Sequence, residues 1–224
     1  MTRSRVRLGV FGGTFDPVHV GHLDAAAAAR EALALDEIRF LPSHVPPHRS
    51  ADPRATMFHR FAMVALAING LPGSRACDVE LRRGGASYTY QTLAELHADG
   101  WAPSHLFFIL GADAFAEIAQ WREFDRVVEG TNLAVVGRTG TSLESALART
   151  PLRPRVRPLD QAREPWAGTG VYLIGAATRD VSSTQIRTEL AAGRSIAHLV
   201  PQAVERHIIR HALYGAVDRL HGDT

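Results

Sequence analysis

Gly9-Val-Phe-Gly-Gly-Thr-Phe-Asp-Pro-Val-His-Val-Gly-His22 is the stretch on which the reading of this chain turns. An apolar run, Val6 to Phe11, stops at Gly12 and Gly13. Pro17, His19 and His22 then lead into an alanine-rich segment that begins near Leu23. A strand, a glycine turn and a helix start in succession bring a nucleotide phosphate against backbone N–H groups. His19 and His22, three residues apart, can share one helix face and aim at the same phosphates.

Two common phosphate loops do not fit. A Walker A loop needs a lysine after its last glycine, and all 25 basic residues here are arginine. A dinucleotide loop needs G-x-G-x-x-G, a spacing that Gly9, Gly12 and Gly13 do not have. By themselves, the two histidines also allow a metal pair or plain surface residues. The metal reading lacks the glutamate of a zincin and would have to recruit distant ligands. No metal ligand is assigned on this reading.

Working outward, 224 residues with 46% hydrophobic content suffice for one α/β domain with a proper core. No apolar run reaches bilayer length. The start, Met1-Thr-Arg-Ser-Arg, leads straight into a strand without a signal-peptide core. Cys77 is the only cysteine. No intrachain disulfide or cysteine metal cluster is therefore expected, and a reducing cytoplasm is the simple reading. Net charge is +2 with histidines neutral. The arginines are spread along the chain and not interleaved with aromatics, which argues against a nucleic-acid surface.

Strand and helix patterns alternate along the chain. Strands are predicted at 6–11, 38–41, 77–81, 106–110, 133–136 and 172–175. Helices are predicted at 23–35, 56–68, 89–97, 112–120, 123–129, 184–192 and 203–213. Continuous apolar strands alternating with helices imply a doubly wound parallel sheet with helices on both faces. The chain reads as a single domain, 1–224, closed by C-terminal helices. Residues 150–170, with four prolines and four arginines, read as an irregular connecting segment.

A second motif stands near the other end: Val181-Ser-Ser-Thr-Gln-Ile-Arg187. Its hydroxyl residues can cap a helix whose N-terminus attracts anions. Arg187 lies one turn in from Ser183, where its fork can reach a phosphate.

Together these residues resemble a known superfamily. The segment from Gly13 to His22 is similar to the (H/T)xGH motif of the nucleotidyltransferases, and 182–187 to their ISSTxIR signature, in the same order along the chain. Between them, Pro42-Ser-His-Val-Pro-Pro-His48, Arg83-Gly-Gly-Ala-Ser-Tyr-Thr89, Gly111-Ala-Asp113 and Trp121 resemble the bacterial nicotinate mononucleotide adenylyltransferases. The sequence departs from that pattern with Arg49 for lysine, Gln91 for aspartate, and Arg138-Thr-Gly140 for Arg-Pro-Gly.

The resemblance implies a Rossmann-like nucleotidyltransferase fold and adenylyl transfer from ATP to nicotinate mononucleotide, giving nicotinate adenine dinucleotide and pyrophosphate. It implies ATP contacts at Gly12, Gly13, Thr14, Phe15, His19, His22, Gly111, Asp113, Ser183, Thr184 and Arg187. Of these, His19, His22 and Arg187 would be catalytic. It implies mononucleotide contacts at Arg49, Thr89, Trp121, Arg122 and Arg138, with Trp121 stacking on the pyridine. Mg²⁺ is expected on the ATP phosphates. The partners are the two substrates, with no nucleic acid or membrane; a homo-oligomer stays open. Nicotinamide mononucleotide or pantetheine phosphate as acceptor is the alternative, followed by a non-catalytic nucleotide-sensing domain.

Overall fold

The computed structural model describes residues 6–46, 53–137, 142–163 and 168–216. Six strands form one sheet: β1 (Leu8–Gly13), β2 (Glu37–Pro42), β3 (Ser74–Ala76), β4 (Leu106–Gly111), β5 (Asn132–Val136) and β6 (Val171–Ile174). Every pairing is parallel, in the order β3-β2-β1-β4-β5-β6. The chain starts at the centre, winds outward through β2 and β3, then returns to the other side of β1 with β4. The strand order therefore reverses between β1 and β4, and in such sheets ligands bind beyond the carboxyl ends of the strands at that point.

The helices are α1 (Val20–Leu33), α2 (Met57–Ala67), α3 (Val79–Arg83), α4 (Thr89–Ala98), α5 (Ala112–Ala116), α6 (Phe124–Gly130), α7 (Leu143–Ala148), α8 (Ser183–Ala191) and α9 (Gln202–Arg210). Strand side chains alternate between two cores, as a period of two requires. Phe107, Ile109, Ala134 and Val136 face α1, α2, α8 and α9. Leu106, Phe108, Leu110, Leu133 and Val135 face α4 to α7. Each large apolar side chain so buried stabilises the fold by about 1.5–3 kcal/mol before entropy is counted. Gly9 permits close packing on the first face: a Cβ there would lie 2.9 Å from Leu35 Cδ1 and 3.1 Å from Ile109 Cδ1.

The third strand differs from the expected 77–81. It lies at Ser74–Ala76, and 79–83 is helix α3. Cys-Asp-Val-Glu-Leu mimics strand alternation, but Cys77 N–H makes the last bond to the sheet, to Phe40 O at 2.8 Å. Beyond it, Arg82 pairs with Asp78 one turn back, and buried Glu80 accepts from Thr92 Oγ1 at 2.7 Å. Those side-chain bonds favour the helix. The expected helix 112–120 is α5 followed by a 3₁₀ turn at Ile118–Gln120. Helix α7 had no counterpart in the sequence reading. Residues 150–170 are more ordered than expected in their described part, with 3₁₀ turns at Arg153–Arg155 and Asp160–Arg163 and a parallel bridge from Val156 to Val171.

Candidate functional site

The loop leaving β1 is built into one shape by its own side chains. Phe15 adopts φ +49°, a conformation costly for a bulky residue unless its surroundings impose it. They do: its ring is buried against Phe11 at 5.6 Å, His22 at 5.0 Å and Phe40 at 6.1 Å between centroids. Gly13 leaves room for that ring, since a Cβ there would stand 3.1 Å from Phe15 Cζ. The Asp16–Pro17 peptide is cis. Asp16 accepts from the N–H groups of Arg54 (2.8 Å) and Ala55 (3.0 Å) and from the Tyr214 hydroxyl (2.7 Å).

Arg60, on α2, is 1% exposed. Its guanidinium donates to the carbonyls of Thr14 (2.8 Å), Ala55 (3.3 Å) and His44 (3.2 Å). A buried cation is tolerated only when hydrogen-bonded, and these bonds lock the loops after β1 and β2 together. Burial lowers Arg60 from its ordinary range, with Asp16 and Tyr214 opposing. Burial raises Tyr214 far above the usual phenol range, reinforced by Asp16, so its hydroxyl stays protonated as a donor. Sequence reading missed Arg60 and Tyr214. One signal existed: Arg60 stands on the apolar stripe that Met63, Val64 and Ala67 define.

The helix start then fixes the histidines. His19 is the N-cap of α1 and 2% exposed. Its backbone N–H donates to His22 Nδ1 at 3.2 Å. A neutral imidazole that accepts at Nδ1 carries its proton on Nε2, so His22 presents an N–H donor there. The two ring centroids lie 3.7 Å apart, with the planes tilted by 30°.

The second motif is joined to the first by direct bonds. Ser182 caps α8, accepting from Gln185 N–H at 3.1 Å. Ser183 Oγ donates to Pro17 O at 2.9 Å. Arg187 donates to Asp16 O at 2.7 Å and to Thr184 Oγ1 at 3.1 Å. Ahead of α8, Arg179 clasps Asp24 of α1 with its guanidinium (2.6 and 2.8 Å) and its backbone N–H (3.0 Å). Gly21 allows this approach, because a Cβ there would lie 3.0 Å from Arg179 O. The Arg179 hydrogen bond holds the Asp24 carboxyl below its usual range.

Between the strand ends lies a cavity of about 490 Å³, within the roughly 300–1,000 Å³ of small-molecule sites. Gly12, Gly13, Thr14, Phe15, His22 and Ser183 line one side, and Gly111 and Asp113 the end of β4. Asp113 lies inside the first turn of α5, whose N-cap is Gly111. Thr89, Trp121 and Arg122 line it as well. Trp121 is half-buried and forms a T-shaped pair with Phe108, the centroids 5.9 Å apart and the planes at 88°. Arg122 sits over the Tyr88 ring at 5.0 Å. Thr89 opens α4, whose N-cap Tyr88 provides no side-chain hydrogen bond, so the helix N-terminus is suited to an anion.

The structure thus brings both motifs and the middle-chain residues to one cavity. His19, Thr184 and Arg187 are not among its lining residues: His19 bonds His22, Thr184 follows Ser183, and Arg187 bonds Asp16 O and Thr184 Oγ1. Arg49 and Arg138, with His48, lie outside the described residues. Glu80, which the sequence reading did not single out, also lines the cavity. Burial raises its carboxyl, opposed by bonds from Thr92 and Ser87 and by Arg83.

Comparison with known proteins agrees with this arrangement. The cytidylyltransferase-like family model matches residues 10–189, a span that contains both motifs, and the chain belongs to that family of nucleotidyltransferases. Relatives named "Probable nicotinate-nucleotide adenylyltransferase" include one from Citrifermentans bemidjiense, 37% identical over 93% of this chain and 98% of its own. Another, from Pseudomonas syringae pv. tomato, is 38% identical over 96% and 97%. The particular group to which the chain is similar is thus the nicotinate-nucleotide adenylyltransferases. In fold, it is similar to Plasmodium falciparum nicotinic acid mononucleotide adenylyltransferase complexed with NaAD, with a TM-score of 0.69, 20% identity, and coverage of 95% of this chain and 98% of that one. No helix of the described residues is long and apolar enough to cross a membrane.

Proposed function

We propose that this chain transfers the adenylyl group of ATP to the phosphate of nicotinate mononucleotide. The observation that carries this reading is the sharing of one cavity by the phosphate-binding residues and the Thr89–Trp121 end. One substrate's reactive phosphate can therefore meet the other's.

A phosphate oxygen of the mononucleotide attacks the α-phosphorus. The bond from that phosphorus to the bridging oxygen breaks, and pyrophosphate leaves with the electron pair. No enzyme nucleophile is needed: with a second pKa near 6, about nine in ten phosphates are already dianions at pH 7. The barrier lies in bringing two polyanions together in line. Positioning can contribute roughly 7–11 kcal/mol, and donors aimed at the developing charge contribute several more.

We assign the following roles, which the family resemblance suggests and the cavity lining supports where its residues are described. His22 Nε2–H donates to the phosphate at which charge builds. His19 holds the His22 ring in that tautomer through its backbone N–H. Gly12, Gly13, Thr14 and Phe15 shape the loop under the triphosphate. Ser183, Thr184 and Arg187 receive the β- and γ-phosphates; a guanidinium has five N–H donors, more than its bonds to Asp16 O and Thr184 Oγ1 use. Gly111 and Asp113 take the ATP ribose. Trp121 stacks on the pyridine, and Thr89 with the backbone at Arg122 takes the nicotinate carboxylate. Arg49 and Arg138 are further mononucleotide contacts.

Mg²⁺ is expected on the ATP phosphates, where it neutralises charge. The acidic residues lining the cavity, Glu80, Asp113 and Glu117, are not among any converging group of three donors in the described residues. That donor set fits an ion held by phosphate oxygens and water. We expect the protein in the cytoplasm, where ATP is at hand and a lone thiol such as Cys77 stays reduced.

The test is direct. The purified chain is incubated with ATP, Mg²⁺ and, separately, nicotinate mononucleotide, nicotinamide mononucleotide or pantetheine phosphate, and pyrophosphate is measured. Release fastest with nicotinate mononucleotide is the expected result. Release fastest with pantetheine phosphate, or none with any acceptor, overturns the reading.

A further inference from the structure

Away from the cavity, α2 and α9 meet at three histidines. His207 and His211 are four residues apart, so they share one face of α9 and its C-terminal cap. His59 reaches them from α2, its Nδ1 3.1 Å from His207 Nε2. The ring centroids are 4.5 Å apart for His207 and His211, 4.9 Å for His59 and His211, and 5.2 Å for His59 and His207. One ring nitrogen from each lies within 4.8 Å of the others.

We propose that His59, His207 and His211 form a binding site for one divalent transition-metal ion, Zn²⁺ or one of like preference, that staples α2 to α9. Three imidazole nitrogens around Zn²⁺ at about 2.0–2.1 Å in tetrahedral geometry lie ~3.4 Å from one another. The observed spacing reaches that with small side-chain rotations. A pair of histidines at i and i+4 on one helix face is a recurrent half of a zinc site. Imidazoles alone suit Zn²⁺, Cu²⁺, Co²⁺ and Ni²⁺ and disfavour Mg²⁺ and Ca²⁺, so the ion bound here is distinct from the one on ATP. His211 is exposed and the other two half-buried, which gives the ion an entry path and leaves the fourth position to water. Burial, with His211, His59 and Arg210 alongside, lowers His207 from its ordinary range, favouring the neutral ring that ligates.

The site is well placed to stiffen the catalytic loop. His59 adjoins Arg60, which holds Thr14 O and His44 O. Beyond α9 the chain reaches Tyr214, which donates to Asp16. The metal would tie together the two elements from which residues 14–16 are braced.

The experiment uses the full chain without a histidine tag, in a buffer free of chelator. Zn²⁺ binding is followed by calorimetry, the visible absorption of added Co²⁺ reports coordination number, and Tm is recorded with and without Zn²⁺. The expected result is one ion per chain with micromolar or tighter affinity, a four-coordinate Co²⁺ spectrum, and a Tm raised by several degrees. His211→Ala, at an exposed position, and His59→Gln, which keeps a polar side chain at a half-buried one, should each lower the affinity at least tenfold and abolish the Tm rise. His22→Ala should leave the binding unchanged. Octahedral Co²⁺, binding only at millimolar metal, or binding lost in His22→Ala but kept in His211→Ala, overturns the proposal and leaves the three histidines as a packing contact.

Discussion

His22 owes its chemistry to a backbone group. Because His19 N–H donates to Nδ1, the ring can remain neutral and still present a donor at Nε2. In the proposed reaction that arrangement is prepared before substrate arrives and requires no reorganisation. His22→Ala should therefore lower kcat at least about 100-fold, as for the loss of one oriented donor, while leaving Tm near the wild-type value. Steady-state pyrophosphate release checks it, and unchanged turnover removes His22 from the mechanism. Trp121 makes a different contribution. It lines the cavity beside Phe108, the two rings nearly perpendicular, and in the proposed reaction its stacking on one substrate is uniform binding. Trp121→Ala should raise KM for the mononucleotide several-fold more than KM for ATP, with kcat changed less. Equal rises for both substrates would take Trp121 out of the acceptor pocket.

At the scale of elements, the site depends on α8 docking against α1. The two helices come from opposite ends of the chain, yet Ser183 and Arg187 bond α8 to the loop before α1, and Arg179, just ahead of α8, clasps Asp24 on α1. Asp24 has its folded pKa depressed by Arg179. The clasp thus adds stability above the ordinary carboxyl value of 3.8 and loses it as pH falls through the lower folded value. Asp24→Asn should cost roughly 0.5–1 kcal/mol at pH 7, the modest size set by a pair partly open to water. The gap from wild type should close below about pH 4. Urea unfolding of both proteins at several pH values measures it; a gap constant from pH 7 to pH 3 would show that the clasp contributes nothing electrostatic.

For the whole molecule, the sequence made the alternation of strands and helices legible because each central strand is apolar on both faces. It made both ends of the site legible because a glycine turn and a hydroxyl-rich cap have few other physical uses in that order. The edge of the sheet was less legible: β3 has three residues, two of them polar, and alternation at 77–81 competes with side-chain bonds that pattern alone does not reveal. The braces were not legible either. Arg60, Tyr214 and the three histidines act on residues far away in the chain, and only the closed fold shows which carbonyls or rings they meet. The proposed function assigns the nucleotide to the glycine loop and the pyridine to Trp121, with a helix N-terminus at Thr89 suited to a carboxylate. The most direct test of that assignment is kcat/KM for nicotinate mononucleotide against nicotinamide mononucleotide, each with saturating ATP and Mg²⁺. A preference of at least about tenfold for the carboxylate, the worth of one charge-assisted hydrogen bond, is the predicted result; equal values or a preference for the amide would contradict it.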